Sequence, residues 1–300
     1  MRPALSLCMI VRNEERNLPA CLASVRPLSP EIVIVDTGST DATPRIAADH
    51  GASVFAFDFS FVDFAAARNH GLARATGRWI LVLDADETLD SATLPLLEPL
   101  LAGPADTGFY LERHNHACDA VTTLTTTKLD HAVRLFPNRP EYRYRGRVHE
   151  TVDASILATG GRLATTAIRI QHSFATDPES RRRRNHRYIG ILKEELAAHP
   201  DDDSRLDFLA AEYHQLEMYA EATAVAERIA LLRPNDARAH LFAGVYHLLY
   251  QPDLLRARAD FLRALELRPG YPEALSFLHR LDETENSASQ PDPPAPGATY

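Results

Sequence analysis

Lysine is almost missing from this 300-residue chain: of 32 basic residues only Lys128 and Lys193 are lysines, and the rest are arginines. Basic charge of either kind is outnumbered by 41 acidic residues, leaving a net charge of −9. That balance argues against nucleic acid as the main partner, because phosphate binding needs a basic surface. No apolar run approaches the roughly 20 residues of a membrane span, so no transmembrane segment is expected. The opening MRPALSLCMIVRNEER has a short apolar stretch but no small-residue cleavage site behind it, so no signal peptide is expected. Cysteine is scarce too: Cys8, Cys21 and Cys118 are odd in number, lack metal-type spacing, and read as reduced thiols of a cytoplasmic protein. What is present, 45% hydrophobic and 24% charged residues, is ordinary globular composition with chain enough for two cores. Disorder throughout, collagen and a lone mini-domain are excluded.

From residue 4 to about 175, short apolar runs alternate with amphipathic stretches. Leu5 to Val11 reads as a buried strand, followed by a helix from about Glu14 to Val25 that stops at Pro27 and Pro30. EIVIVD (Glu31 to Asp36) is a second buried strand. A helix capped by Thr40 or Asp41 follows and ends at Gly51. Ala52 to Phe57 is strand-like, Phe61 to Ala75 helix-like, and WILVL (Trp79 to Leu83) a strand ending in acid. This alternation implies an α/β domain with a mostly parallel, Rossmann-like sheet covered on both faces.

From about residue 180 only helical patterns remain. Pro200, Pro234 and Pro269 recur at the period of a two-helix repeat. With each proline at a repeat's end, Leu206, Leu209, Ala210, Tyr213, Ala222 and Ala226 take tetratricopeptide signature positions. Ala243, Gly244, Ala257, Phe261 and Ala264 take them in the next unit, after an inserted residue near Gln251-Pro252, and His247 stands where an aromatic is expected. Residues 183 to 198 read as a half repeat and 272 to 283 as a closing helix. Residues 284 to 300 are Pro-, Ser- and Asp-rich and read as a disordered tail. The expected organisation is residues 1–178, 179–283 and 284–300.

Ligands of parallel sheets bind outside the carboxyl ends of the strands. Two ends here carry acids: Asp36 closes EIVIVD, and Asp84 with Asp86 closes WILVLDAD. Carboxylates two residues apart in extended chain point the same way and can share one hard cation, which would bridge a substrate diphosphate. A bare Asp-x-Asp also fits a solvated turn. The pair here ends a buried strand and follows Ala67-Arg68-Asn69 by one helix.

With these residues the chain resembles family 2 glycosyltransferases of the GT-A fold. CMIVRNEERNLPACLASV is similar to their opening, IVDTGSTDAT to their nucleotide-recognition loop, and FAAARNHGLARATGRWILVLDADE to their helix and Asp-x-Asp segment. Where many members carry a second acid after the strand, this chain has Thr37. The resemblance implies that Asp36 bonds the donor's base and that Arg68 lies near the nucleotide. Asp84 would face the ribose or the metal, and Asp86 the metal directly. His172, ending ATTAIRIQH, falls where many such enzymes supply a histidine to the metal. YRYRGRVHE is similar to the acceptor-side segment of a subgroup, some of whose members carry a tetratricopeptide region. It offers Glu150 as catalytic base, with Glu87 as the rival. Arg134 and the cluster Arg143, Arg145 and Arg147 would steady a diphosphate, or form the solvent face of a strand. Asn69 is either a ligand or a side chain holding a loop, and Arg181 to Arg184 reads as a solvated helix start.

The function implied is an inverting, metal-dependent transferase of hexosyl or N-acetylhexosaminyl type. It would use Mn²⁺ or Mg²⁺ and a nucleotide-diphospho-sugar, a UDP-sugar, with a hydroxyl or thiol acceptor on a peptide, protein or glycan. The repeats would bind the acceptor or form a homodimer. A scaffold with an inactive transferase domain is the alternative, and the intact Asp84, Asp86 and His172 speak against it. A nucleotidyltransferase would want a glycine-rich phosphate loop that CMIVRNEERN lacks, and a dehydrogenase a GxGxxG after the first strand, also lacking.

Overall fold

The apolar runs Leu5–Val11, Glu31–Asp36 and Trp79–Val82 pair into one sheet because each is largely buried on both faces. The computed structural model describes residues 3–118, 125–175, 177–250 and 253–288. It divides the chain into two units, Met1–Pro178 and Glu179–Tyr300. The sheet of the first unit has the order β3-β2-β1-β4-β7-β6-β8-β5. Its strands are β1 (Leu5–Val11), β2 (Glu31–Asp36), β3 (Ser53–Ala56), β4 (Trp79–Val82), β5 (Glu87–Leu89), β6 (Thr107–Cys118), β7 (Thr125–Pro137) and β8 (Arg162–Ala175).

The first four strands are parallel, with Val11 opposite Asp36 and Leu5 opposite Trp79. Leu5, Leu7 and Met9 of β1 pack on one face with Leu18, Leu22, Ile34 and Trp79. Cys8, Val33, Ile80 and Val82 pack on the other with Ala65 and Leu72. The covering helices are α1 (Leu18–Val25), α2 (Thr43–Asp49) and α3 (Phe64–Leu72). Cys8 and Cys21 are free and buried, and burial pushes the Cys8 thiol up to about 12, so it is inert at neutral pH.

Beyond β4 the sheet becomes mixed: β7 joins β4 antiparallel, β6 joins β7 antiparallel and β8 parallel, and β5 closes the edge antiparallel to β8. These strands alternate apolar and polar residues, so the purely periodic signal of the first half fades there.

Three helix starts differ from the sequence reading, the third helix beginning at Phe64 behind its cap Asp63 and not at Phe61. The first helix begins at Leu18, because Asn13 turns into the left-handed region (φ 57°) and residues 13–15 bond to the loop after β2. Thr40 N donates to Asn13 Oδ1 (2.8 Å), Glu14 N to Thr43 Oγ1 (2.7 Å) and Ala42 N to Glu15 Oε2 (3.1 Å). The second helix starts at Thr43, behind Ala42 instead of Thr40 or Asp41; Asp41 still accepts from Thr43 N at 2.9 Å. This interlock ties together the loops at the carboxyl ends of β1 and β2.

The second unit is helical: α6 (Pro178–Ala198), α7 (Asp203–Gln215), α8 (Tyr219–Leu232), α9 (Ala237–Leu249), α10 (Leu254–Leu267) and α11 (Pro272–Ala288), after the short α4 (Leu97–Ala102) and α5 (Asp153–Ala158) of the first unit. Asp202, Asp236 and Asp253 cap the starts of α7, α9 and α10 through backbone N–H groups. Pro200, Pro234 and Pro269 fall just after helix ends, where proline cannot interrupt a ladder. The small signature residues are buried: Ala210, Ala226, Ala243, Ala257 and Ala264 are each 2% exposed or less. His247, in the aromatic position, is buried with Nδ1 2.9 Å from Asp260 and Nε2 2.9 Å from Glu227. A charged clamp between α8, α9 and α10 replaces ring packing there. Arg181 to Arg184 are exposed on α6. The last helix runs to Ala288, into the stretch read as a tail; Gln251-Pro252 and residues 289–300 lie outside the described residues. No described helix is long and apolar enough to cross a membrane.

Two glycines of this unit separate packing from propensity. A Cβ on Gly244 would stand 2.7 Å from the Phe261 ring, whereas one on Gly190 in α6 meets nothing within 4 Å. In thermal unfolding, Gly244→Ala is expected to lower stability by about 1–3 kcal/mol, as overpacking does, and Gly190→Ala to raise it by about 0.5–1 kcal/mol.

Candidate active site

The chain leaves β4 at Val82 and turns, Glu87 N donating to Asp84 O at 3.0 Å. Asp84 faces two arginines: Arg68 Nη2 donates to its Oδ1 (2.8 Å) and Arg134 Nη2 to its Oδ2 (2.8 Å). Asp86 faces His172 instead, with Nε2 3.3 Å from its Oδ2. The two carboxylates thus take different side-chain partners. Among the described residues no group of three or more His, Cys, Asp or Glu is gathered for a metal ion.

Arg68 lies on α3, whose start Asp63 caps by accepting from Ala66 N at 2.7 Å. Its guanidinium passes over the Tyr144 ring, 5.4 Å from the centroid, and its Nε donates to Glu150 Oε1 (2.6 Å). One arginine thus joins Asp84 to Glu150, residues far apart in sequence. Glu150 is brought there by a loop that Asn69 fastens: Asn69 Nδ2 donates to Tyr144 O and Tyr144 N donates to Asn69 Oδ1, both at 2.9 Å. Asn69 is therefore the loop holder of its two readings. Tyr142 and Tyr144 of the same loop are buried, while Arg145 is exposed and Arg147 lies against the Phe61 ring and bonds Val62 O (3.0 Å).

Beneath the turn sits Glu87, wholly enclosed. It accepts from Asp84 N (2.9 Å), Arg134 Nη2 (2.7 Å) and Arg113 Nη1 (3.4 Å). Enclosure removes Glu87 from contact with any acceptor. Arg134, read as a diphosphate ligand, is the buried counter-ion of Glu87 and Asp84. Arg113 continues the array, binding both oxygens of Asp130 (2.8 and 2.9 Å), and Asn115 Nδ2 donates to Asp130 Oδ2 (3.2 Å). Asn115 Oδ1 lies 2.7 Å from His172 Nδ1. The polar side chains thus form one connected series from Glu150 to Asp86.

The electrostatics follow from these contacts. Burial works against charge on Asp84, but Arg134 and Arg68 outweigh it and hold the carboxyl well below its ordinary value. Burial pushes Glu87 up, with Arg134 opposing. Burial lowers His172, and the bond and charge of Asp86 more than reverse that, so it lies above its ordinary value.

Asp36 ends β2 on the same carboxyl edge, but its carboxylate is turned onto its own loop, accepting from Ser39 Oγ (2.5 Å) and Ser39 N (3.2 Å). The structure brings together Asp84, Arg68 and Glu150, and separately Asp86 and His172; Asp36 joins neither. Arg113, Asn115 and Asp130 escaped the sequence reading, because ERHNH and KLDH look like solvated strand faces. The alternation of Arg113 and Asn115 with Leu111 on one face was the signal available.

The Glycosyl transferase family 2 model matches residues 6–154. A TPR repeat-containing protein of Synechococcus elongatus is 34% identical over 289 residues, covering 92% of this chain and 68% of that protein. The lipopolysaccharide core biosynthesis glycosyltransferase LpsC of Rhizobium meliloti is 36% identical over 101 residues, 33% of this chain and 37% of that one. The chain therefore spans about two thirds of the first relative and well under half of the second. Among solved structures, S. aureus TarS shares 15% identity with a TM-score of 0.48, covering 88% of this chain and 54% of that chain.

Breaking one partner of a buried ion pair strands the other charge, at about 3–5 kcal/mol, whereas removing both costs far less. In urea unfolding, Glu87→Leu and Arg134→Met are each expected to destabilise by about that much. The double variant is expected to lose clearly less than the sum of the singles.

Proposed function

The chain belongs to glycosyl transferase family 2, and from that premise we propose that it is an inverting, metal-dependent transferase moving a sugar from a nucleotide-diphospho-sugar, a UDP-sugar, to a hydroxyl or thiol acceptor. The observation that carries this reading is the meeting of Asp84, Arg68 and Glu150 at the carboxyl end of β4, where parallel sheets take their ligands.

In this reading Asp36 meets the base, and Asp84 and Arg68 the nucleotide. Asp86 and His172 would hold Mn²⁺ or Mg²⁺; a carboxylate oxygen and an imidazole nitrogen 3.3 Å apart are of the donor types such ions accept. A cation held there offsets the charge of a departing diphosphate. Glu150 takes the proton of the acceptor as the acceptor's lone pair bonds the anomeric carbon. The bond from that carbon to the diphosphate oxygen breaks, and its electron pair leaves with the nucleoside diphosphate. Attack opposite the leaving group inverts the anomeric configuration. Glu150 begins under the guanidinium of Arg68, and donor phosphates are a natural competing partner for that guanidinium. The helical unit is assigned the acceptor, a peptide, protein or glycan, since repeat surfaces fit extended ligands; self-association is its alternative use.

Calorimetry with UDP, GDP and dTDP, with and without Mn²⁺, tests the donor site. Metal-dependent binding of UDP that Asp86→Ala abolishes is expected; no nucleotide binding by the folded, metal-supplied chain would overturn the reading. Glu150→Gln is expected to slow transfer about 10²–10⁴-fold, the usual worth of a general base, with UDP affinity retained or tightened, since the variant no longer competes for Arg68. An equal loss of affinity would make Glu150 a binding residue instead.

A further inference from the structure

We propose that the arginine-rich start of α6 is a docking face for an anionic phospholipid surface, held there by charge alone. Its use is independent of the chemistry proposed above.

The face consists of Arg181, Arg182, Arg183, Arg184 and Arg187, five arginines within seven residues of a chain whose net charge is −9. All five are exposed. Two have contacts within the helix. Arg183 Nη1 lies 3.2 Å from Glu179 Oε2, and its Nη2 donates to Ser180 Oγ at 2.9 Å. Arg184 Nη2 donates to Asn185 Oδ1 at 3.4 Å, with its guanidinium 5.9 Å from the centroid of the Tyr188 ring. Arg181, Arg182 and Arg187 have no hydrogen bond or ion pair among the described residues.

This arrangement works against the helix that carries it. Arg183 and Arg187 stand four residues apart, and Arg181, Arg184 and Arg187 three apart, spacings at which like charges on a helix repel. The run also begins close to the helix start, where the macrodipole favours acid. By contrast, α7, α9 and α10 place Asp202, Asp236 and Asp253 at their starts. An exposed cluster that weakens its own helix, three of its members without counter-charge in the chain, is satisfied by anions from outside.

The form of the cluster favours a continuous layer of phosphates. Successive helical residues point about 100° apart, so four arginines in a row fan out over the helix instead of converging on one anion. A single extended acidic strand would meet one stripe of such a fan, whereas a headgroup layer meets several at once. Guanidinium forks pair well with phosphate oxygens. The apolar side of α6 is already used, since Ile189, Leu192 and Leu196 are buried. From Ser180 to Arg187 there is no apolar side chain to insert, so contact stays at the headgroups. At physiological salt charge is felt over about 8 Å, so this face responds to the surface it touches and not to distant acids of the chain.

Co-sedimentation of the full chain with lipid vesicles tests the assignment. Binding is expected to phosphatidylcholine vesicles that contain phosphatidylglycerol, and none to phosphatidylcholine alone. Raising salt from about 0.1 M to about 1 M shortens the screening length from about 10 to about 3 Å and is expected to release the chain. An arginine near an anionic surface is worth about five-fold in partitioning, so joint Arg181→Gln, Arg182→Gln and Arg187→Gln is expected to weaken binding about 100-fold. Those side chains lack partners, and the variant is expected to keep wild-type helicity and unfolding temperature. A control with Arg228→Gln, Arg256→Gln and Arg263→Gln removes surface arginines that are paired to Asp201, Glu227 and Glu266, and is expected to keep most of the vesicle binding. No binding of wild type to the anionic vesicles, or an equal loss in both triple variants, would overturn the proposal. Tighter binding of poly-L-glutamate than of anionic vesicles, through the same three arginines, would overturn it too and make the face a site for an acidic protein segment.

Discussion

A carboxylate enclosed beneath the end of β4 governs the arrangement of the site. Glu87 has no exposed surface, and charge in such surroundings is tolerated only when paired and hydrogen-bonded. Arg134 and Arg113 supply the pairing, and each carries its remaining capacity elsewhere. Arg134 goes on to Asp84, which takes Arg68, which takes Glu150. Arg113 goes on to Asp130, then Asn115, His172 and Asp86. Satisfying one buried acid thus sets the direction of two arms, one ending at the acid assigned as base and the other at the pair assigned to the metal. Such an array is costly to assemble, since each buried charge in it needs its partner.

The place of Arg68 in this array has a corollary for the proposed function. In this state the guanidinium of Arg68 occupies the space between Asp84 and Glu150, so anionic donor phosphates have a cation to compete for before Glu150 is released. In the proposed reading, binding of donor and readiness of the base would be linked through this one side chain.

The half of the fold that was plain in the sequence is the half with unbroken apolar runs. EIVIVD became β2 from its first residue to its last, and WILV became β4, because strands buried on both faces leave no polar alternation to confuse their limits. The helix starts near Glu14 and Thr40 were misplaced because Asn13, Glu14 and Glu15 spend their hydrogen bonds on a neighbouring loop, a long-range event that local cap signals do not contain. The same reason hid Arg113, Asn115 and Asp130, whose partners lie across strands. Asp84, Asp86, Arg68, Glu150 and His172 were visible from motif likeness, but their division into two groups was not, since it depends on the turn after Val82. In the helical unit, His247 was visible as a departure from the repeat pattern, and its two carboxylate partners, Glu227 and Asp260, supply the reason.

The central claim is that this arginine-filled end of β4 is the donor site. A crystal structure of the chain with UDP and Mn²⁺, phased to show the manganese by anomalous scattering, tests it most directly. The manganese peak is expected on Asp86 and His172 Nε2, with the Arg68 guanidinium moved from Glu150 to the diphosphate. Nucleotide and manganese bound away from β4, with Arg68 still bridging Asp84 and Glu150, would contradict it.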